Sequence, residues 1–398
     1  MPCVMAADLL VYAQLSAAGI GMAPFAWHRL SCMRWMKKSL DMPEEDSNLP
    51  ITVLLPVWNE GLIIEKKLAD IANQSLKVNL LIIDSASTDD TVSKARKWLD
   101  DFPDAFIDSE LIVMKKRLGK TSAVIQAIDS LSDFDGITIM TDADAIIHPG
   151  SFSRIRNWFS RKDIGVVGGT PKRKGDNSTE SSHRDMFSML RIAESKHDST
   201  PFLEGSLMAW RSKLLQPSDL YAKSNADDAQ IATSIRLKGY RSIQDPELFF
   251  TDQAPLTAKD QRRQKVRRGQ GLIRHLARNR KQWFSKSQGR FAKILRINSW
   301  MMLLSPLMMA SALIFGLLRG FTIGIENNLY LGLTIIEIYC LTAWLSTRMN
   351  YPITGMKTAG SIFTGLENLL SGIILASTGT SLHMWEQHEE IREEIARN

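Results

Sequence analysis

Two acids, Asp142 and Asp144, close the apolar run Gly-Ile-Thr-Ile-Met at residues 136–140. In extended chain, residues two apart leave the same face. Two carboxylates held side by side repel each other unless a cation sits between them. Mg2+ and Mn2+ favour oxygen ligands, and Mg2+ typically binds through one or two carboxylates plus substrate phosphates. The pair therefore points to a divalent metal, Mg2+ or Mn2+, carrying a diphosphate. Other polar residues follow apolar runs in the same way: Asn59 and Glu60 after 51–57, Asp84 within 79–87, and Lys120 beyond 110–115. Singly, Asp84 could cap a helix and Asn59 could close a turn; their joint arrival has no such simple account. Gly119-Lys120-Thr121 resembles part of a phosphate loop, but the glycine that motif needs five residues before Gly119 is Met114. A P-loop NTPase is excluded, while Lys120 can still offer its charge to a phosphate at a helix start.

These residues need a scaffold that brings them to one edge. Apolar segments at 51–57, 79–87, 110–115, 136–144 and 163–170 alternate with helical stretches. Continuous apolar strands separated by helices of roughly 10–15 residues predict an α/β fold with a doubly wound, mostly parallel sheet. Ligands in such sheets bind beyond the carboxyl ends of the strands. A chain of 398 residues exceeds one ordinary domain. The expected division is an N-terminal membrane anchor at 1–38, the α/β domain at 50–257, basic interfacial helices at 258–298, transmembrane helices at 299–382 and a polar tail at 383–398.

Charge and hydropathy support that division. Of 49 Lys and Arg, fourteen lie between Lys259 and Arg296 against one Asp, which leaves 35 basic and 42 acidic residues elsewhere. A local basic belt on a mildly acidic protein, with no recognition module, excludes a nucleic-acid binder. The belt interleaves its charges with Leu272, Ile273, Leu276, Trp283, Phe284, Phe291 and Leu295, a pattern suited to helices on an anionic membrane surface. Residues 299–318 are uncharged and long enough to cross a hydrocarbon core of ~30 Å. Two weaker segments, 329–345 and 359–379, are interrupted by Glu337 and Glu367, which need partners inside a bundle or line an acceptor path. The uncharged stretch 9–26 precedes His28, Arg29, Arg34, Lys37 and Lys38, and Asp8 stands where a signal peptide carries positive charge. It reads as an uncleaved anchor, or else as a helix docked on the membrane surface. The positive-inside rule then places the α/β domain in the cytosol of a multi-pass protein of the cell membrane. Cys3, Cys32 and Cys340 show neither metal-ligand spacing nor a disulfide framework.

The segments LLPVWNE, IDSASTDDT, RLGKTSA, TDADA, NADDAQIATSIRLKGY and QKVRRGQG occur in the order seen in membrane-bound family 2 glycosyltransferases. That family includes processive polysaccharide synthases and lipid-acceptor enzymes with a GT-A-type domain, and the resemblance covers residues 50 to 280. It implies that Pro56, Asn59 and Glu60 form the first loop around the nucleotide and that Asp84 contacts the base. It implies that Lys120 lies beside the nucleotide and that Asp142 and Asp144 hold the donor diphosphate through the metal. Asp228, eleven residues before Gly239, matches the catalytic aspartate of the family's Thr-Glu-Asp motif, whose first two positions are here Ala226 and Asp227. Gln264 and Arg267 resemble the Q-x-x-R-W motif near the diphosphate, with Arg268 in place of its Trp. Glu204 and Gly205, in FLEGSLMAWRS, are candidates for an acceptor-facing turn, with Asp227 beside them.

The resulting expectation is an inverting, metal-dependent transfer from a nucleotide-sugar, UDP more often than GDP among relatives, to a lipid-linked or membrane-proximal glycan acceptor. Asp228 serves as base. A processive exopolysaccharide synthase is the nearest rival, disfavoured by Arg268 and by only four candidate spans. A nucleotide-sugar-binding scaffold without turnover is the rival from another class.

Overall fold

A computed structural model of the chain describes residues 2–172, 179–252, 255, 257–323, 328–384 and 389–397. The chain opens with α1 (Pro2–Trp35). The α/β domain then runs β1 (Ile51–Val57), α2 (Ile64–Ala72), β2 (Asn79–Asp84), α3 (Thr91–Asp101), β3 (Ser109–Val113) and α4 (Lys120–Ser130). It continues through β4 (Ile137–Thr141), β5 (Ile146–Ile147), α5 (Ser151–Trp158), β6 (Ile164–Pro171), α6 (Thr179–His197), β7 (Leu207–Arg211), α7 (Asp227–Leu237) and β8 (Arg241–Thr251). After it come α8 (Ala258–Arg278), α9 (Gly289–Ser299), α10 (Ser305–Ile323), α11 (Asn328–Arg348), α12 (Lys357–Ser377) and α13 (Glu389–Arg397).

The eight strands form one sheet in the order β3-β2-β1-β4-β7-β6-β8-β5. β1 runs parallel to β2 and β4, and β2 runs parallel to β3, which is the doubly wound half that the apolar runs predict. Beyond β4 the sheet becomes mixed: β7 runs antiparallel to β4 and β6, β5 antiparallel to β8, and only β6 and β8 are parallel there. Alternation along the strands sorts the core into two layers. Val53, Leu55, Val57 and Ile82 face one side with residues of α2, α3 and α5, while Leu54, Leu81, Ile83 and Met140 face the other with α4 and α7. Full burial of such a side chain is worth about 1.5–3 kcal/mol, so the strand register is strongly specified.

Among the described residues, four helices are long and apolar enough to cross a membrane: Asp8–Trp35, Lys286–Phe321, Asn328–Arg348 and Lys357–Ser377. At 34 residues, α1 is roughly 51 Å long, longer than a hydrocarbon core of ~30 Å. Its C-terminal part docks on α6: His28 Nε2 lies 3.1 Å from Glu194, and the Trp35 ring stacks on His197 with centroids 4.3 Å apart. α9 passes into α10 through a π-helical turn at Trp300–Leu304, and the Trp300 indole donates to the Ile20 carbonyl of α1 at 3.1 Å. Both acids in the apolar segments are paired. Glu337 accepts from Arg319 at 2.8 Å and from Gln14; Glu367 accepts from Arg262 at 2.6 Å and from the Trp344 indole at 3.0 Å. Their role is thus to tie helices together.

Two expectations change. Of the belt's apolar residues, Leu276, Phe291 and Leu295 are buried against Phe202, Ala226 and Ala229 of the α/β domain, with Leu272 and Trp283 packed on them. Ile273 is buried as well, and Phe284 alone of the seven is largely exposed. The amphipathic pattern in α8 and α9 therefore serves domain packing more than a lipid surface. The segment read as a polar tail contains α13, which buries Ile391 and Ile395 in the main core cluster. Lys66 donates to the carbonyls of Ile395 and Ala396 at its C-terminal end. Burying those two isoleucines is worth about 1.5–3 kcal/mol each, enough to dock a helix whose other residues are mostly charged.

Candidate active site

The strand exits of the parallel half deliver their polar residues to one edge. Past β1, Asn59 adopts a left-handed conformation (φ 52°), which its short amide tolerates, and its Oδ1 accepts from the Thr88 N–H at 2.7 Å. Asp84 ends β2 fully buried and accepts from both the Ser87 N–H (2.9 Å) and the Ser87 hydroxyl. Asn59 and Asp84 thus shape one loop, 85–88, into the floor of the edge. Pro56 sits within β1, paired with Ile83.

Lys120 is the hub. As the first residue of α4 it donates to Asp142 Oδ1 and lies 3.7 Å from Asp227 Oδ2. Burial opposes its charge, but Asp142 and Asp227 outweigh that and hold its pKa above the ordinary lysine value. Asp142 also accepts from the Ser206 hydroxyl at 3.3 Å, while its own N–H reaches the Ser206 carbonyl. Gly205 is equally close: a Cβ there would stand 3.4 Å from Lys120 Nζ and 3.7 Å from Asp228 Oδ2. Glu204, next to Gly205, is held by Arg191.

Asp227 and Asp228 begin α7, where negative charge complements the helix dipole. Asp228 Oδ1 accepts from the Ala229 N–H at 2.7 Å. Its pKa is pushed up to about 7, first by burial and then by Asp227 and Glu204, with the Ala229 N–H and Lys120 opposing. A carboxylate poised near neutrality is suited to taking a proton from a hydroxyl.

Asp144 has a partner the sequence does not suggest. Arg392 of α13 places Nη1 3.2 Å from Asp144 Oδ2 and grips Glu60 with Nε at 3.0 Å and Nη2 at 2.9 Å. Burial pushes the Asp144 carboxyl up, Arg392 works against that, and Asp142 adds to it. Glu60 is itself buried, so it meets Arg392 inside the protein. Beneath the edge, Lys67 is buried and donates to Asp70 and to the Ala145 carbonyl just past Asp144. Burial lowers the Lys67 pKa, with Asp70 opposing. Nothing in α2 distinguishes Lys67 from a surface lysine; its spacing on the buried face, with Ile64, Leu68 and Ile71, is the only hint.

On the opposite side, Asn225 Nδ2 donates to the Arg267 carbonyl, which ties the start of α7 to α8. Arg267 Nη1 reaches the Met384 carbonyl at 3.4 Å, Gln264 is half-buried on the same helix, and Arg268 is exposed. Gln270, which is fully buried, pins the chain after α12: it donates to the Thr380 carbonyl at 2.7 Å and accepts from the Leu382 N–H at 3.1 Å. A cavity of about 2030 Å3 opens beside Asp144 and runs between α8 and the C-terminal apolar helices, reaching Arg348 of α11 and Ser361 and Asn368 of α12.

The donor set fits a divalent cation. Among the described residues no cluster of three or more His, Cys, Asp or Glu could hold a metal alone. Asp142 and Asp144 lie past the end of β4, in a turn where the Ala145 N–H donates to the Asp142 carbonyl at 3.2 Å, rather than in extended chain. They would give the one or two carboxylates that Mg2+ takes when substrate phosphates complete its shell.

Comparison with known proteins follows the same line. Residues 52–217 match the model for glycosyl transferase family 2, and residues 137–349, more than half of the chain, match that for glycosyl transferase family group 2. The chain belongs to glycosyltransferase family 2. Among solved structures, the mannosyltransferase PcManGT from Pyrobaculum calidifontis, in complex with GDP-Man and Mn2+, matches the transferase with a TM-score of 0.76. The two are 24% identical, and the match covers 94% of this chain and 100% of that one, a likeness of fold that includes the GT-A sheet. Glucosyl-3-phosphoglycerate synthase from Mycobacterium tuberculosis, with Mn2+, UDP and phosphoglyceric acid, is 19% identical over 58% of this chain and 79% of its own, with a TM-score of 0.40. S. aureus TarS 1–349 is 12% identical over 83% of this chain and 92% of its own, with a TM-score of 0.42. A comparison with curated proteins finds no match.

Proposed function

We propose that the transferase moves a sugar, with inversion, from a nucleotide-sugar to a lipid-linked or membrane-proximal acceptor at the cytosolic face of the cell membrane, in a reaction that depends on Mg2+ or Mn2+. The observation that carries this reading is the convergence of Lys120, Asp142 and Asp227 with Asp228 and Gly205 around one point. A bound divalent cation, held by Asp142 and Asp144, would supply charge neutralisation to the departing nucleoside diphosphate. Lys120 contributes a preorganised positive charge at the same place; Arg267 lies on α8, where its carbonyl accepts from Asn225 just before α7. Asn59 and Asp84 shape the loop on which the nucleotide base is read. Asp228 takes the acceptor hydroxyl's proton, and its pKa near 7 supports that role. A single in-line displacement inverts the anomeric centre.

The acceptor reading draws on the cavity beside Asp144. Lys172, Lys259, Arg262, Arg263, Lys265 and Arg348 line it, and it extends to helices long enough to span a membrane. Such a path suits an amphiphile with an anionic head better than a long neutral glycan. The choice between UDP and GDP donors rests with experiment. The test incubates purified full-length protein, Mn2+ and a panel of nucleotide sugars with lipid extract. Nucleoside diphosphate release with a single sugar added to a lipid, of inverted configuration, supports the proposal. Retained configuration removes Asp228 from its role, a ladder of products favours a polymerase, and donor binding without release favours a scaffold.

A further inference from the structure

The C-terminal segment returns from the last apolar helix and crosses the edge where the acids lie. Residues 380–384 are pinned to α8 by Gln270, Arg274 and Arg267, and a Cβ on Gly119, just before Lys120, would stand 2.9 Å from the His383 carbonyl. α13 then seats Ile391 and Ile395 in the core, which fixes Arg392 between Glu60 and Asp144. All three guanidinium nitrogens are engaged, and the side chain is 7% exposed. The planar fork is matched to a carboxylate, so this is a built contact rather than a chance approach.

Asp142 and Asp227 face Lys120, and Glu60 and Asp144 face Arg392, so each of these acids already has a resident cation beside it. A divalent cation arriving alone meets carboxylates already engaged by resident cations and is repelled by the guanidinium. A nucleoside diphosphate arriving with it brings the negative charge that restores the balance. We propose that Arg392, delivered by the C-terminal helix, is a positioning residue that sets this balance, so that the site takes its metal together with the nucleoside diphosphate rather than alone. The inference rests on the donor-site reading above and extends it to a residue more than 240 positions from Asp144.

A residue that merely anchored α13 would, on removal, weaken every ligand of the edge alike. A charge-setting residue moves cation and anion in opposite directions. The experiment titrates full-length protein with Mn2+ alone, and with UDP and GDP in chelator and in saturating Mn2+. Arg392→Gln binds Mn2+ alone about tenfold or more tighter than wild type and binds the nucleotide in chelator about tenfold more weakly. In saturating Mn2+ its nucleotide affinity changes less. Glu60→Gln shifts Mn2+ affinity the other way, and the E60Q/R392Q double variant, which restores the net charge, returns to within about threefold of wild type. Should R392Q alone fail to fold, E60Q and the double variant carry the same test. Parallel weakening of Mn2+ and nucleotide in R392Q, or no change in either, overturns the inference. Tight binding of Mn2+ alone by the wild type overturns it too. A wild type that binds no nucleotide even with Mn2+ overturns the donor-site reading along with it.

Discussion

The acids at the exit of β4 and those at the start of α7 are the same residue type in opposite settings. Asp142 and Asp144 each face a cation, Lys120 and Arg392. Asp228 has one backbone N–H as its hydrogen-bond donor and an acidic neighbour, and its pKa rises to about 7. In the proposed function the first pair holds positive charge and the second site takes a proton. Within the sequence, residue spacing alone does not separate these roles, since both read as two acids close together; only the family resemblance does. Environment separates them.

Substitutions can break that contrast. Asp228→Asn is expected to lower transfer by about 10²–10⁴-fold while nucleotide binding stays near wild type, because general-base catalysis contributes on that scale. Transfer at comparable rates would move the base elsewhere. Lys120→Met leaves Asp142 and Asp227 facing each other without their shared cation. A loss of about a hundredfold in kcat/KM, with weaker nucleotide binding, is expected from removing one preorganised charge.

The pH profile sharpens the same contrast. A base must be deprotonated, and burial raises the Asp228 pKa to about 7. Log kcat/KM should therefore climb with unit slope below about pH 7, near tenfold per unit, and level off above it. D228N should flatten the residual profile in that range, and an unchanged profile would detach the limb from this residue. For stability the sign is opposite. A carboxyl raised in the fold favours the native state while protonated, so its contribution is lost as pH rises from near 4 through 7.

Ile391→Ala and Ile395→Ala probe the helix that carries Arg392. Each removes buried apolar volume from the core and should cost about 2–5 kcal/mol at full burial, read as a lower melting temperature. Ile395, at 9% exposure, should fall at the lower end. Gly205→Ala gives the smallest effect: a methyl 3.4 Å from Lys120 Nζ crowds the cluster without clashing, so a change of a few-fold in KM is expected.

The parallel half of the sheet was legible because β1, β2 and β4 are continuous apolar runs, buried on both faces. β8 was not, because Arg-Ser-Ile-Gln-Asp-Pro-Glu has no continuous apolar run. Its Asp245 is in fact fully buried, paired with Arg154 and with the Trp158 indole at 2.6 Å. β7 hid in a stretch read as a turn, of which only Gly205 and Ser206 turn; Leu207–Arg211 form a central antiparallel strand. The site followed the same rule. Lys120, Asp142 and Asp228 could be named because each stands where an element begins or ends. Arg392 could not, since a nine-residue helix with six charges resembles a solvated tail and its two isoleucines four apart are a weak signal. Lys67 and Gln270 escaped because only tertiary packing distinguishes a buried polar residue on a helix from an exposed one.

The account stands on one physical claim, that the acidic tip of β4 grips a cation whose other ligand is a diphosphate. The most direct measurement is calorimetry of nucleoside diphosphate binding to chelator-treated protein, before and after Mn2+ is added, in wild type and in the D142A/D144A double variant. The account predicts that Mn2+ strengthens wild-type binding by about a hundredfold and leaves the double variant unimproved. Equal affinity with and without metal in the wild type, together with undiminished turnover in the double variant, would contradict it.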